Sequence, residues 1–493
     1  LKNPIPPRSA APLLIAALLS GCAAVGPDFH APAPLTTARD YRSTADRSGA
    51  PTAAEATPIR LSEPGEAVAR DWWTLVPSKD LDAVIRMALA ANPEIASADA
   101  SLDAARAELA AARGAELPEV SANAGLSQNR LNLASFGFGG GLPGFTNNPE
   151  FSLYSLGGAV SFPLDAFGLA RRGTEGAAAR LEAARHQRDA AWLTLTGQVA
   201  TQAVTLAVLR EELAQTDAIL ADDRRTVELA EQAERAGGEA HSAGVNASAQ
   251  LAADQTLVAP LKKQLDAARH ALAVLTGHAP SDWTPPDFDL AALPLPQSLP
   301  VSLPSELVHQ RPDILAAEAR LHAATADVGV ATARLYPNLS FTAQMTQGAL
   351  KPGNLFDAPA NAYGAALGAT APLFDGGRLR AGVRAADARR QVALASYQQT
   401  VLRAFGQVAD LMQAVQRDQE ALAAQKAAAD RSAETLRLNR LAYGAGATGL
   451  FPVIDASRQL SNARLGVARA EGQLRLDAMA LFVATGRGLA HGA

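Results

Sequence analysis

Cysteine is all but missing: there is one, Cys22, in 493 residues. A lone thiol excludes an internal disulfide framework, a C-x-x-C redox pair and a cysteine-built zinc site. The eight histidines show no H-x-x-x-H or H-E-x-x-H spacing, and no glycine-rich loop ends in a phosphate-gripping lysine. Gly444, Gly446 and Gly449 fit G-x-G-x-x-G, but a long helical pattern precedes them where dinucleotide binding needs a strand. They read as a helix-to-helix turn. Nothing in the pattern points to catalysis, a metal or a cofactor. An excess of either charge is missing too: 44 Lys and Arg against 49 Asp and Glu leave a net −5, which gives no basic footprint for nucleic acid. Aromatics are only 5% of the chain, which favours close-packed, alanine-rich helices over a thick aromatic core. Past the N-terminus, no continuous apolar run reaches the ~18 residues of a spanning helix.

What is abundant is the chain itself, present twice. Asn92-Pro93-Glu94-Ile95 returns as Arg311-Pro312-Asp313-Ile314, and Leu117-Pro118 as Tyr336-Pro337, both 219 residues on. Pro163-Leu164 returns as Pro372-Leu373, Ala247-Ser248 as Ala456-Ser457, Gln250-Leu251 as Gln459-Leu460 and Thr276-Gly277 as Thr485-Gly486, all 209 residues on. Constant offsets either side of a single ten-residue change mark a duplication with one variable loop. Copies of about 195 residues are too long for solenoid units, so this is a duplicated half-molecule.

The N-terminus carries the second strong signal. Lys2 and Arg8 precede an apolar stretch, Ala10 to Leu19, and then Leu19-Ser20-Gly21-Cys22. Residues 1–21 read as a secretory signal peptide. The cleavage site resembles a bacterial lipobox, whose cysteine is lipidated, and acyl chains would anchor at ~0.8 kcal/mol per buried CH₂. Ala23 follows where an aspartate is absent, which in such lipoproteins goes with delivery to the outer membrane. Residues 22–70, rich in Pro, Ala and Thr, read as a lipidated N-terminus and extended tether.

The body divides into halves at 71–280 and 305–487, with a proline-rich linker at 281–304 and a tail at 488–493. Asp71-Trp72-Trp73 leads into helices near 79–91 and 94–116, interrupted at Asn92-Pro93. Val120, Ala122, Ala124 and Leu126 then alternate with polar or small residues, as do Leu339, Phe341, Ala343 and Met345. Such period-2 runs predict β-hairpins at about 119–164 and 338–372, long enough to cross a bilayer when tilted. Of the 20 Phe and Tyr residues, 12 fall within 119–168 and 336–374, and residues 131–149 carry no charge. That clustering suits interfacial aromatic girdles. Composition alone leaves a pair of soluble hairpins equally open. Long helices are predicted at about 170–236 and 379–443, each ~100 Å at 1.5 Å per residue. Trp192, Leu195, Val199, Gln202, Leu206, Leu209 and Leu213 form a heptad seam with Gln202 its one intruder; Asp418 intrudes in the second copy. Each long helix ends at a glycine turn, Gly237-Gly238 or Gly444 to Gly449, and a helix of about 30 to 35 residues returns.

Four strands cannot close. Open edges in hydrocarbon leave backbone groups unpaired at several kcal/mol each, so inserted strands require other copies of the chain. Here a resemblance becomes specific. Cys22 in its lipobox, Val25-Gly26-Pro27-Asp28-Phe29, Asp71-Trp72-Trp73, the paired Asn92-Pro93 and Arg311-Pro312, and Ala442-Tyr443-Gly444-Ala445-Gly446 resemble the TolC-like outer membrane factors. The likeness covers about residues 22–487 and is closest to the NodT-type lipoprotein branch serving RND-type efflux pumps. It implies a mainly α fold with a membrane β-barrel: a homotrimer whose four strands per chain make a twelve-stranded barrel above a periplasmic α-barrel of coiled-coil helices.

The expected function is the outer membrane channel of a tripartite efflux system, passively conducting small molecules such as drugs. Its partners would be a periplasmic adaptor of the membrane-fusion type, an RND-type inner-membrane pump and outer membrane lipid. The covalent lipid on Cys22 is the only prosthetic group expected. Phe451, Asp455 and Arg458, spaced to share one helical face, match positions that line the periplasmic gate in related channels. Pro452 and Asp455 equally suit the first turns of a helix, with Arg458 a simple ion-pair partner. Ala243 and Pro452 stand where some relatives carry other gate residues, so fewer charges are expected there. Rival readings are a channel for type I protein secretion and a structural coiled-coil lipoprotein without a pore.

Overall fold

A computed structural model of the chain describes residues 24–33, 60–61, 71–132, 149–299 and 304–486. Cys22, the signal peptide, most of the tether and nearly all of the uncharged segment 131–149 lie outside the described residues. In chain order the elements are β1 (Arg60–Leu61), α1 (Lys79–Ala91), α2 (Pro93–Gly114), β2 (Glu119–Arg130), β3 (Glu150–Leu164), α3 (Leu169–Arg235), α4 (His241–Gln255) and α5 (Val258–Leu275). The second half supplies β4 (Ser298–Leu299), α6 (Pro304–Gln310), α7 (Pro312–Ala333), β5 (Asn338–Ala349), β6 (Asn361–Thr370), α8 (Arg378–Gly444) and α9 (Phe451–Thr485). Of the described residues, those within Leu1–Pro32, Asp103–Ala183 and Glu318–Ser396 form one compact unit. Those within Ala33–Leu102, Ala184–Ala317 and Tyr397–Ala493 form the other.

The first unit holds a four-stranded antiparallel sheet in the order β2-β3-β5-β6. The hairpins join through β3 and β5, leaving β2 and β6 as free edges. The second unit holds the helical core. Trp72 and Trp73 are fully buried in it, donating their indole N–H groups to Thr196 Oγ1 at 3.2 Å and Asp82 Oδ1 at 2.9 Å. The seam residues Leu195, Val199, Leu206, Val401, Ala404 and Val408 are buried there as their spacing requires. Gln202 donates to the Ala268 carbonyl at 3.0 Å, which satisfies the one polar intruder of the first seam. α3 does contain an 18-residue window apolar enough by average composition to cross a membrane, but 67% of it is buried inside the fold. Its Thr and Gln residues interrupt any continuous apolar run.

Duplication is visible in the contacts. Asn92 donates to the Leu275 carbonyl at 2.8 Å, and its counterpart Arg311 donates to the Ala484 carbonyl at 3.2 Å. Each break before a proline thus reaches across to the end of its own half's return leg. The halves part company on that leg. In the second half one helix, α9, runs for 35 residues. The first half was expected to do likewise, but its return is two helices of 15 and 18 residues, interrupted at Thr256 and Leu257. Pro260 explains the interruption: it has no N–H for the Thr256 carbonyl, and its ring crowds that same group. The tether and linker are also less plain than expected, since Arg60–Leu61 pairs in parallel with Ser298–Leu299.

Candidate functional site

Residues paired across adjacent strands share a face, so the register sorts every strand side chain. Val120, Leu126, Tyr154, Val160, Phe341 and Leu367 fall on one side with Leu156, Phe162, Met345 and Tyr363. Ser121, Asn123, Ser161, Thr342, Gln344 and Thr346 fall on the other, among glycine and alanine. One face is mainly apolar; the other is small and polar, with Glu119 at one end and Phe151 and Leu153 at the other. Period-2 alternation does not tell which face would meet lipid; the register sorts the two, and only the apolar face tolerates hydrocarbon. From Leu164 to Tyr154 that face runs ten residue steps along β3, about 33 Å, which a 35–45° tilt reduces to roughly the thickness of a barrel's apolar band. Arg130 and Glu150 face each other at 3.6 Å at its polar end.

The strand-to-helix junction of the first half is clasped by the segment that follows Cys22. Val25 donates its N–H to the Phe167 carbonyl at 3.1 Å. Arg172, its side chain only 6% exposed, binds the Val25 and Gly26 carbonyls, Asp28 at 2.7 Å and Glu175 at 2.7 Å. Hydrogen bonding and charge from Arg172 hold the Asp28 carboxyl below its ordinary range. Phe29 stacks on His322, whose Nε2 lies 3.0 Å from Glu175 Oε1. Gly168 turns left-handed at φ +80° beneath Ala24, and a Cβ there would strike it. In the second half Leu373 and Phe374, which match Leu164 and Asp165 at the end of β3, are 98% and 93% exposed. The motif residues were legible; Arg172 as their holder was not, because nothing local marks a partner 144 residues away.

The two helical tips meet around a small apolar cluster of Ala230, Ala247, Leu436, Leu450, Val453, Ala456 and Leu460. α9 begins with no side-chain cap of its own. Glu239, from the turn of the first tip, accepts the Leu450 N–H at 2.9 Å and takes that role across the tips. No pattern near Glu239 announced it. Val453, Ala456 and Leu460 point α9 into the cluster, which leaves Phe451 68% exposed on another side. Arg458 Nη2 lies 2.9 Å from Asp455 Oδ1, and Gln459 donates to Asp455 Oδ2 at 2.7 Å. The structure therefore joins Asp455 and Arg458, while Phe451 touches neither through any polar contact. His241 sits exposed against Glu234 at 2.9 Å. Gly237 and Gly446 are left-handed, at φ +73° and +71°; Gly238 and Gly444 are not.

Two carboxyl pairs bridge a long helix to its return leg. Burial first, then hydrogen bonding and repulsion from Asp254, pushes Asp223 up to about 7. Burial and then Asp477 do the same to Asp418, also to about 7. Asp418, the odd residue of the second seam, is thus accounted for by a partner on α9. Among the described residues, no group of three or more His, Cys, Asp or Glu side chains could hold a metal ion.

A family model described as outer membrane efflux protein matches residues 84–278 and 303–487. The chain is 30% identical over 417 residues to the pyoverdine export outer membrane protein OpmQ of Pseudomonas putida, covering 85% of this chain and 88% of that protein. It is 28% identical to the outer membrane protein OprJ of Pseudomonas aeruginosa, over 91% and 93% of the two chains. Among solved structures, the outer-membrane channel OprN superposes with a TM-score of 0.83 at 28% identity, covering 94% of this chain and 99% of that one.

Proposed function

The chain belongs to the outer membrane efflux protein family, and we infer that it is the outer membrane channel of a tripartite efflux system. It works as a homotrimer with a periplasmic adaptor and an inner-membrane pump. The observation that carries this reading is the open sheet with one mainly apolar and one polar face. Alone, β2 and β6 would offer bare edges to lipid; three copies closing edge to edge give twelve strands and a polar bore. A duct of this kind needs no catalytic step, because the pump supplies the energy. The bore's hydroxyls, amides and glycines suit small polar or amphiphilic cargo.

The anchor follows from the clasp. Val25 is bonded to Phe167, just past β3, and Cys22 precedes it by only three residues. At most about 3.6 Å per residue separates them, so acyl chains on Cys22 would enter lipid close to the base of the sheet. Cys22→Ser should abolish labelling by a palmitate analogue; label retained would remove the anchor from the account.

Phe451, Asp455 and Arg458 form the gate in this reading. They stand on α9 away from the tip cluster, and threefold symmetry repeats Asp455 around one axis, where partners must offset its repulsion. Arg458 is the nearest such partner. The experiment is single-channel recording in planar bilayers with light scattering in mild detergent. A trimer is expected, with higher resting conductance for Arg458→Ala and for Phe451→Ala/Asp455→Ala. Wild-type conductance in both variants would reduce these residues to helix-start chemistry. A monodisperse, non-conducting monomer would defeat the channel reading itself.

A further inference from the structure

We propose that Glu119 sets the charge preference of the bore, favouring cationic over anionic solutes at its inner end. This rests on the channel reading above and on the face assignment. Glu119 opens β2 and is paired with Ser161, which is paired in turn with Thr342, so it stands on the polar face two residues from Ser121. It is exposed. Among the described residues of the four long strands it is the sole ionisable side chain on that face. The other two charged strand residues, Arg130 and Glu150, belong to the apolar face and neutralise each other at 3.6 Å.

The physical consequence follows from symmetry and screening. Three chains place three Glu119 carboxylates around one axis at the strand ends that follow α2. A low-dielectric wall focuses the field of such a ring into the aqueous lumen. Screening confines it to about 10 Å at 0.1 M salt, so the ring acts on its own level of the bore and on adjacent positions, not along the whole duct. Nothing else charged on the described polar face opposes it. Cations are enriched at that level and anions depleted, which makes it a filter by sign while the rest of the strand-lined bore is indifferent to charge.

The test uses the full lipoprotein in the outer membrane of intact cells and does not depend on whether the periplasmic tip is open. Ser121→Cys places one reporter thiol about 7 Å along the strand from Glu119; the parent chain, with Cys22 alone, sets the background. The rates of modification by a cationic and an anionic methanethiosulfonate reagent, added outside, are compared with Glu119, Glu119→Gln and Glu119→Lys. The cation-to-anion rate ratio should fall about threefold or more with Glu119→Gln and invert with Glu119→Lys, with a larger change at low salt. Val120→Cys should stay at background. An equal ratio in all three backgrounds overturns the proposal, as does modification of Val120→Cys with Ser121→Cys silent. If Glu119→Lys fails to assemble, the Glu119→Gln ratio decides alone. If neither thiol reacts and light scattering finds no trimer, the channel reading falls and takes the filter with it.

Discussion

In the first half the return leg breaks at Thr256–Leu257; in the second it runs unbroken from Phe451 to Thr485. The residue matching Pro260, 209 positions on, is Arg469, which keeps its N–H and reaches Glu212 at 3.1 Å. A second difference lies at the strand-to-helix junctions. Gly168 and Gly377 match and both are left-handed, but Arg172 matches Ala381. Only the first junction can clasp the N-terminal segment. The halves therefore keep what the hairpin-to-helix geometry demands, glycines and caps such as Asp165 and Asp375. They diverge where one half meets something the other does not.

The largest effect should come from imposing the first half's break on the second. Arg469→Pro removes an interior helix hydrogen bond, adds a steric clash worth ~3 kcal/mol or more, and leaves Glu212, buried at 7% exposure, without its partner. Arg469→Ala removes only the ion pair and should cost much less. The reverse exchange, Pro260→Arg, should change stability by no more than about 1 kcal/mol, since the first half has already adapted to its break. Thermal unfolding of the detergent-solubilised trimer measures all three. Equal tolerance of Arg469→Pro and Pro260→Arg would dissolve the distinction between the legs.

Next in size is Arg172→Ala, which gives the first junction the residue of the second. It removes the donor to two carbonyls and to Asp28 and leaves Glu175 with His322 alone, at a cost of about 1–3 kcal/mol. Limited proteolysis should then cut between residues 24 and 33 faster than in the wild type, where the clasp holds that segment. Ala381→Arg, the converse change, should be neutral, because that position is exposed. Protection of the segment in Arg172→Ala would show that Phe29 on His322 suffices.

The carboxyl pairs do not occupy matching positions: Leu209 stands opposite Asp418 and Ser432 opposite Asp223. Their effect on pH should nonetheless be alike. Asp418 holds its proton to about pH 7 when folded, against 3.8 for an ordinary aspartate. Between those values the folded state binds more protons than the unfolded one, so stability falls as pH rises from about 4 through 7. Asp418→Asn and Asp223→Asn should each flatten that fall, by about 1–2 kcal/mol at pH 8 after allowing for solvent screening. Unfolding midpoints recorded from pH 5 to 8 give the answer, and a wild-type profile that rises across this window would contradict both assignments.

How far these features could be read in advance depended on range. Duplication, hairpins, long helices and heptad seams are periodic, and the apolar period survives into the structure at Leu195, Val199 and Val408. Strand pairing is not periodic information, so the lipid face waited on the register joining β3 to β5. Pro260 was in plain sight as a breaker, and its signal was overridden by the symmetry of the two copies. Asp418 announced itself as a polar residue in an apolar seam, while Asp477 gave no sign. Of the tip, the Asp455–Arg458 pair is what a three-residue helical spacing allows. Glu239, which caps α9 from the other tip, came from tertiary approach alone.

The smallest expected effect concerns the tips, where the halves agree best. Gly237 donates to the Glu234 carbonyl and Gly238 to that of Ala233; Gly446 and Ala447 donate to those of Tyr443 and Ala442, the same positions 209 residues on. Both are Schellman turns with the left-handed glycine at the same place. A Cβ on Gly237 or Gly446 would meet nothing within 4 Å, so only the left-handed backbone resists substitution. Gly237→Ala and Gly446→Ala should therefore each cost about 1 kcal/mol. Gly444→Ala, at the last helical residue of α8, should be neutral or slightly stabilising. If the two tips differ only in function, the unfolding shifts of Gly237→Ala and Gly446→Ala will match while resting conductance changes for Gly446→Ala alone, because its turn sets the start of the leg that carries Phe451. Matching conductance changes in both would mean that the two tips gate together through Glu239, and unequal stability losses would mean that the turns are not equivalent after all.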